Sequence, residues 1–271
     1  MRGPLMSTDN RLQIDLAENG VAHVRLARPD KMNALDPAMF QAIAEAEDVL
    51  SSMKGLRAVV LSGEGRAFCA GLDVSGFSQP TGSGADTLTE RTHGNANLPQ
   101  QAAMVWRKCP VPVIAAVHGI CFGGGLQIAS GADMRIVAPD TRMCIMEMKW
   151  GLVPDMGGYA LWRGLVRADV LRELVYTNRE FTGAEALELG LATHVDADPL
   201  AKANQIAEEI ANRNPDAIRA AKRLQDVMDD EPTDAILLAE SIAQDKIIRT
   251  PNQVEAVMAG MQKRAANFTD V

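Results

Sequence analysis

The chain has 271 residues, of which 47% are apolar, 23% are charged and 4% are aromatic. This length and composition fit a globular protein with one large domain, or with one domain and an appendage. Its 35 Asp and Glu residues outnumber 27 Lys and Arg residues, and the resulting net charge of −8 argues against a nucleic acid partner.

The N-terminal part predicts a leader, a hairpin and a helix. Residues 1–10 lack the apolar segment of a signal peptide, and we expect a flexible leader there. The segment RLQIDLAENGVAHVRLARP, residues 11–29, predicts a β-hairpin that turns at Asn19-Gly20. Asp36 and Pro37 then predict a helix start, as N-cap and first helical residue.

Alternating strand and helix patterns follow. A buried strand is predicted over 57–63, a helix over 99–108, and further strands over 112–117 and 134–138. This order indicates an α/β core, which we place at residues 11–200. Residues 75–98 are rich in Ser, Gly and Thr, and we interpret them as a mobile surface segment or lid.

The chain becomes almost wholly helical after Thr182. Asp198 and Pro199 repeat the N-cap and first-position pair of the first helix. We therefore predict a helical C-terminal region over residues 201–271.

Cysteine and histidine spacing gives no sign of a disulfide framework or a metal site. No CxxC or HExxH pattern occurs, and no apolar run is long enough to span a bilayer. We expect a cytoplasmic protein with no metal, no membrane partner and reduced thiols at Cys69, Cys109, Cys121 and Cys144.

Two glycine turns carry the chemical signal. RAFCAGLD (66–73) and FGGGL (122–126) each follow a predicted buried strand, and we expect each to precede a helix. Amides at a helix start are unpaired and partly positive, so a pair of them can stabilise an oxygen that gains negative charge. Neither turn matches a phosphate loop or a nucleophile elbow, and each by itself is also compatible with a simple tight turn.

An ordered set of five segments resembles the crotonase superfamily, the enoyl-CoA hydratase/isomerase family. The segments are RPDKMNAL (28–35), LSGEGRAFCAGLDV (61–74), AAVHGICFGGGLQIASGADMRI (115–136), EMKWGLVPDMGG (147–158) and KRAANF (263–268). The resemblance implies an α/β fold, a crotonase-like spiral of ββα units with a helical C-terminal region. It also implies trimers that commonly pair into hexamers, with residues 201–271 as the oligomerisation region.

The resemblance further implies a coenzyme A thioester substrate and no separate cofactor. The backbone N–H groups that bind the thioester oxygen in the family correspond to Leu72 and Gly124. The family's coenzyme A contacts near the first turn correspond to Arg66, Ala70 and Val74, and less directly to Lys31. In the family, the tail of a neighbouring subunit often contributes further contacts, which correspond to Lys263 and Phe268.

The catalytic carboxylates match the family only in part. Hydratases of the family use two glutamates, and here the first position holds Gln127 while the second holds Glu147. Glutamine cannot accept a proton from water. The resemblance therefore favours a double-bond isomerase in which Glu147, with a pKa raised in an apolar pocket, shuttles the proton.

Asp155 leaves two interpretations open. In the dienoyl-CoA isomerases of the family an aspartate at this position works with the Glu147 equivalent, although that subgroup also has aspartate where this chain has Gln127. Asp155 is also a suitable N-cap for the following helix. Two other functions stay open: a hydratase in which Gln127 orients water, and a catalytically silent coenzyme A-binding protein.

Overall fold

A computed structural model describes residues 11–75 and 88–271. The predicted hairpin is present, and its two strands pair antiparallel with Leu12 opposite Leu26. Gly20 supplies the left-handed backbone at the turn, with φ of 81°. The strands are β1 (Leu12–Leu16), β2 (Val21–Leu26), β3 (Ala58–Gly63), β4 (Val113–Val117), β5 (Ile120–Phe122), β6 (Met134–Val137), β7 (Arg142–Cys144), β8 (Phe181–Thr182) and β9 (His194–Val195).

The helices begin at the capping residues that the sequence indicates. Asp36 caps the first helix by accepting from Met39 N–H, and Asp198 accepts from Ala201 N–H in the same way. The helices are α1 (Pro37–Ser52), α2 (Leu98–Lys108), α3 (Gly124–Gly131), α4 (Gly158–Trp162), α5 (Ala168–Thr177), α6 (Gly183–Glu188), α7 (Pro199–Ala211), α8 (Pro215–Asp230), α9 (Thr233–Ile247) and α10 (Pro251–Gln262).

The larger sheet has the order β1-β2-β3-β4-β6-β9 and is parallel from β2 onward. Every residue of β4 is buried, as expected for a parallel strand that is covered on both faces. Residues of α1, α2 and α3 contribute to the main apolar core. Ala203 and Ala207 of α7 pack with Val60 and Ile114 in a second core cluster.

A second, smaller sheet brings two distant segments together. Its order is β5-β7-β8, and the last residue of β5, Phe122, pairs in parallel with Cys144, the last residue of β7. The glycine triplet follows β5 directly and Glu147 follows β7 by three residues. The short strands β5 and β7 were not predicted from the residue pattern, because three-residue strands are too short to show alternation.

The predicted segment 75–98 lies partly outside the described residues, which exclude 76–87. Within its described part, His93 and Ala96 form an antiparallel bridge. Asn97 and Gln100 form a reciprocal capping box at the start of α2, one residue before the predicted start at residue 99.

In the described ranges, no helix combines the length and apolar character needed to cross a membrane. No group of three His, Cys, Asp or Glu side chains in those ranges is arranged to hold a metal ion. The expected absence of a metal and the cytoplasmic location stay predictions.

A buried lysine attaches α8 to the sheet. Lys222 is 6% exposed, and its ammonium group donates to the carbonyls of Trp106 and Val111 at 3.0 and 2.9 Å. It also pairs with Asp133 at 2.8 Å. Since a buried cation without partners is costly, this set of contacts fixes the position of α8 beside the sheet.

Substituting Lys222→Met should therefore lower the free energy of unfolding by about 3 kcal/mol, because it leaves the Trp106 and Val111 carbonyls without this donor and removes the cation paired with Asp133, whose carboxylate keeps the Val113 N–H. Urea unfolding measures the change. Lys54→Met, in the turn after α1, is the control, since Lys54 is exposed and the change should stay below about 0.5 kcal/mol. Equal losses for the two variants would contradict the anchoring role of Lys222.

Candidate active site

The first glycine turn is held in place by Leu35. Leu35 N–H donates to the carbonyl of Gly71 at 2.8 Å, and Asp73 N–H donates to the carbonyl of Leu35 at 2.9 Å. Because successive amides of an extended strand point to opposite sides, the Leu72 amide points away from Leu35. The expectation of a helix-start amide was wrong for Leu72, which lies in a parallel β-bridge with Leu35.

The second turn supplies a helix-start amide as predicted. Gly124 is the first residue of α3, so its N–H has no acceptor within the helix. The two turns are in contact: a Cβ added to Gly71 would lie 2.7 Å from the Phe122 carbonyl oxygen and 3.6 Å from Gly124 N. Gly71 also has φ of 86°, so both its conformation and this close approach require glycine.

A buried asparagine clamps the segment before the first turn. The Asn33 side chain is fully buried, accepts from Arg28 N–H at 2.8 Å, and donates to the carbonyls of Ala67 and Phe68 at 2.9 and 3.1 Å. These bonds tie residues 28–35 to the first residues of the first glycine turn. The clamp was missed in the sequence analysis, although Asn33 stands inside the quoted segment RPDKMNAL.

An ion pair fixes the far end of the same turn. Arg28 donates to Asp73 at 2.8 Å, and both side chains are largely buried. Hydrogen bonds from Ser75, together with those from Arg28, lower the pKa of Asp73 to about 2. Asp73 is therefore an ionised structural group at neutral pH rather than a candidate acid.

Glu147 lies next to the glycine triplet, at the start of a single 3-10 turn over Glu147–Trp150. One carboxylate oxygen, Oε1, accepts from the Gln127 amide at 2.6 Å. The other, Oε2, is buried and has no hydrogen-bond partner within the described part of the chain. Burial raises the pKa of Glu147, and the negative charge of Asp155 raises it further.

Gln127 acts as a fixed connector in this arrangement. Its side chain is fully buried, and its carbonyl oxygen accepts from Met156 N–H and Gly158 N–H, each at 2.9 Å. Its amide group donates to Glu147. The acceptor atom of Gln127 is therefore already used by two backbone donors, and the geometry favours orientation of Glu147 over orientation of water.

Asp155 is not a helix cap, contrary to one of its two interpretations. Helix α4 begins at Gly158, and its N-cap is Gly157 without any side-chain cap. The N–H groups of Met156 and Gly158 bind Gln127 instead, so Gln127 satisfies this turn. Asp155 is exposed as a residue, but partial removal of its carboxyl from water raises its pKa.

Four of the predicted coenzyme A contacts surround the first turn. Arg66 and Val74 are exposed, Ala70 is half-buried, and the Ala70 N–H donates to the Met32 carbonyl at 2.9 Å. Lys31 is exposed and ends a 3-10 turn over Pro29–Lys31 that packs against Gly65. Their contact with coenzyme A stays a prediction.

The tail candidates lie elsewhere in the same chain. Asp270, two residues after Phe268, pairs with Arg57 at 2.6 Å, next to the first residue of β3. The first turn follows the other end of β3, about 20 Å further along the strand. The structure thus does not bring Phe268 to the site of its own chain, and the predicted contribution of Lys263 and Phe268 from a neighbouring subunit stays a prediction.

Comparison with known proteins gives one consistent result. The profile of the enoyl-CoA hydratase/isomerase family matches residues 16–271. The chain is 31% identical over 261 residues to the mitochondrial Delta(3,5)-Delta(2,4)-dienoyl-CoA isomerase of Mus musculus, covering 93% of this chain and 80% of that protein. It is 32% identical to an enoyl-CoA hydratase of Mycobacterium tuberculosis, covering 90% and 91% of the two chains.

The solved structures agree with this family and fold. The crystal structure of an enoyl-CoA hydratase from Bacillus anthracis superposes with a TM-score of 0.86 at 27% identity, covering 95% of this chain and 98% of that one. The predicted crotonase-like α/β fold is therefore confirmed.

Because the charge of Asp155 raises the pKa of Glu147, removing that charge should shift the titration midpoint of Glu147 measurably. Glu147 should lose its proton above the ordinary glutamate value of about 4.3, because burial disfavours its charged form. Asp155→Asn removes a neighbouring negative charge, so the midpoint should move to lower pH. Carbon-13 NMR of protein labelled at the glutamate carboxyl measures it, with the signal assigned by its loss in Glu147→Gln.

The matched control for this titration is Asp169→Asn. Asp169 is an exposed acid on α5 that pairs with Arg167. This change should leave the Glu147 midpoint unchanged. A midpoint that stays fixed or rises in Asp155→Asn would contradict the coupling.

Proposed function

Because the chain belongs to the enoyl-CoA hydratase/isomerase family, we propose that it moves a carbon–carbon double bond of an enoyl-CoA thioester and that Glu147 shuttles the proton. The observation that carries this proposal is the Gln127 amide, which binds Glu147 Oε1 and leaves Oε2 without a hydrogen-bond partner among the described residues, so Oε2 is the oxygen to which we assign the proton transfer.

The proton balance needs only this one carboxylate. Glu147 removes a proton from C2 of a 3-enoyl-CoA, and the electron pair passes through the thioester as an enolate. The same carboxyl then returns the proton at C4, so the double bond moves to C2–C3 without net gain or loss of atoms. A raised pKa suits a group that must both take and return a proton.

The enolate oxygen is assigned to the two backbone donors, the Leu72 and Gly124 amides. Support comes from the contact between the two turns and from the helix-start position of Gly124. Fixed donors of this kind stabilise charge that develops in the transition state, and losing one typically costs a factor of about 10² to 10³ in kcat.

Asp155 is proposed as a second proton-transfer group for conjugated substrates. Its charge acts on the pKa of Glu147, and the capping interpretation no longer competes. The similarity to a mammalian dienoyl-CoA isomerase points in the same direction. The match to this subgroup is partial, because the subgroup has aspartate where this chain has Gln127. Both a 3,5-dienoyl-CoA and a simple 3-enoyl-CoA are therefore substrates to test.

Hydration is the second candidate, favoured by relatives that are named enoyl-CoA hydratases. In that case Gln127 would have to hold the attacking water through its remaining amide hydrogen, because its oxygen is already occupied. Glu147 would then perform every proton transfer. The two functions differ in product, so one assay separates them.

The deciding experiment supplies crotonyl-CoA, a 3-enoyl-CoA and a 3,5-dienoyl-CoA in parallel, with products identified by mass and ultraviolet spectra. We expect isomerisation of a 3-enoyl- or dienoyl-CoA, and a loss of about a thousandfold in kcat for Glu147→Gln, since its amide cannot accept a proton. Rapid hydration of crotonyl-CoA without isomerisation would contradict the isomerase. Unchanged turnover in Glu147→Gln would contradict the role of this residue.

The matched variant for this experiment is Gln127→Glu. It keeps an oxygen for the Met156 and Gly158 amides and introduces a second carboxyl beside Glu147. Two carboxyls this close should share a proton, and the variant restores the pair of glutamates that the hydratases of the family use. The ratio of hydration to isomerisation should rise at least about tenfold. An unchanged ratio would argue that residue 127 does not select the reaction.

We also propose that the chain assembles into a homotrimer or a dimer of trimers through its C-terminal helices. Helices α9 and α10 carry apolar side chains that are at least 42% exposed in the single chain. Large apolar side chains exposed in such number on two helices are typical of a surface that a partner covers. The side chains are Leu237, Leu238, Ile242, Val254, Val257, Met258 and Met261.

The assembly predicts a mass of three or six times 29.1 kDa by light scattering. Leu238→Glu should shift the equilibrium toward smaller species, because it places a charge in the proposed interface. Tyr176→Glu, at a 71% exposed position on α5, is the control and should not change the mass. A monomeric parent protein at micromolar concentration would contradict the proposal.

A further inference from the structure

We propose that Leu35 is a positioning residue whose side chain and backbone together set the separation between the Leu72 and Gly124 amides. The inference rests on the proposed function only in that it assigns these two amides to the acyl oxygen. Leu35 is an apolar residue at the end of the segment RPDKMNAL and touches neither reacting carbon nor proton in the proposed reaction.

The backbone of Leu35 fixes the first amide. Its N–H and its carbonyl both bond to the first turn, at 2.8 Å to the Gly71 carbonyl and 2.9 Å from Asp73 N–H. These two bonds bracket Leu72 on one side of the strand. A shift of the Leu35 backbone therefore moves the Leu72 amide with it.

The side chain of Leu35 fixes the second amide. Its Cδ1 atom lies 2.7 Å from the point where a Cβ on Gly124 would stand, so the methyl group rests directly on the Gly124 backbone. The sulfur of Met156 stands at the same distance of 2.7 Å. Leu35 is fully buried, and it contacts both turns at once.

The segment that holds Leu35 is itself immobilised. Asn33, two residues earlier, is clamped to residues 64–68 by its side chain and adopts φ of 55°. Non-glycine residues adopt this left-handed conformation when surrounding contacts enforce it. Because Asn33 holds this segment rigidly, Leu35 keeps a fixed position. Leu35 in turn positions the Leu72 and Gly124 amides, which have to point at one oxygen in the proposed reaction.

Truncation to Leu35→Ala should separate catalysis from binding. The backbone bonds remain, but the methyl contact with Gly124 is lost and the second turn can relax toward the first. Because misplacement of donors by a fraction of an ångström to one ångström is costly, kcat should fall at least about tenfold while KM changes less than about threefold.

Leu50→Ala is the matched control, since Leu50 is 1% exposed in the same apolar core but lies on α1. Both variants create a cavity and should lose similar thermal stability. Leu50→Ala should keep kcat within about twofold, whereas Leu35→Met, which conserves volume, should recover most of the activity lost in Leu35→Ala.

A spectroscopic readout tests the cause. The ultraviolet absorbance of a bound conjugated enoyl-CoA shifts to longer wavelength when donors polarise its carbonyl. The shift should be smaller in Leu35→Ala than in the parent protein or in Leu50→Ala. Equal shifts and equal kcat in the two alanine variants would overturn the inference, provided that Glu147→Gln is inactive; an active Glu147→Gln would instead overturn the proposed function.

Discussion

One buried carboxamide, the side chain of Gln127, connects the separate segments that form the candidate site. Gln127 joins the helix after the glycine triplet, the loop at Met156 and Gly158, and the carboxylate of Glu147 through three hydrogen bonds. Because an unpaired amide buried at this depth would be destabilising, the surrounding chain has to keep all three partners in place. The orientation of Glu147 follows from that constraint.

The consequence is an asymmetric carboxylate. One oxygen is satisfied by Gln127, which favours the ionised form, whereas the other is buried without a partner among residues 11–75 and 88–271. Burial dominates, so the pKa of Glu147 rises. Buried polar atoms without partners are rare in native proteins, and one that belongs to a carboxyl with a raised pKa marks a candidate functional site.

The contact between the two glycine turns depends on shape rather than charge. Leu35, Gly71 and Gly124 form a contact in which any side chain on either glycine would meet backbone or packed side-chain atoms. The glycines therefore let two turns from different sheets approach to backbone contact. Rigid groups behind them, the Asn33 clamp and the Arg28–Asp73 ion pair, hold the first of these turns.

Local signals in the sequence determined much of the secondary structure. The Asn19-Gly20 turn, the Asp36 and Asp198 caps and the buried parallel strands could be predicted because neighbouring residues decide them. The family resemblance supplied the identity of the candidate residues, including Glu147 and the departure at Gln127. Their roles depend on atoms from distant parts of the chain.

Only the tertiary structure decided which groups meet. Gln127 binds Glu147 through its amide group and the Met156 and Gly158 N–H groups through its oxygen, and Asp155 does not cap α4. This arrangement could not be predicted, because the partners come from three separate segments. The contact of Leu35 with both turns could not be predicted either, because nothing in the sequence distinguishes this leucine from the other leucines of the core. Its significance lies in the distance to Gly124, and such a distance is fixed by packing rather than by local preference.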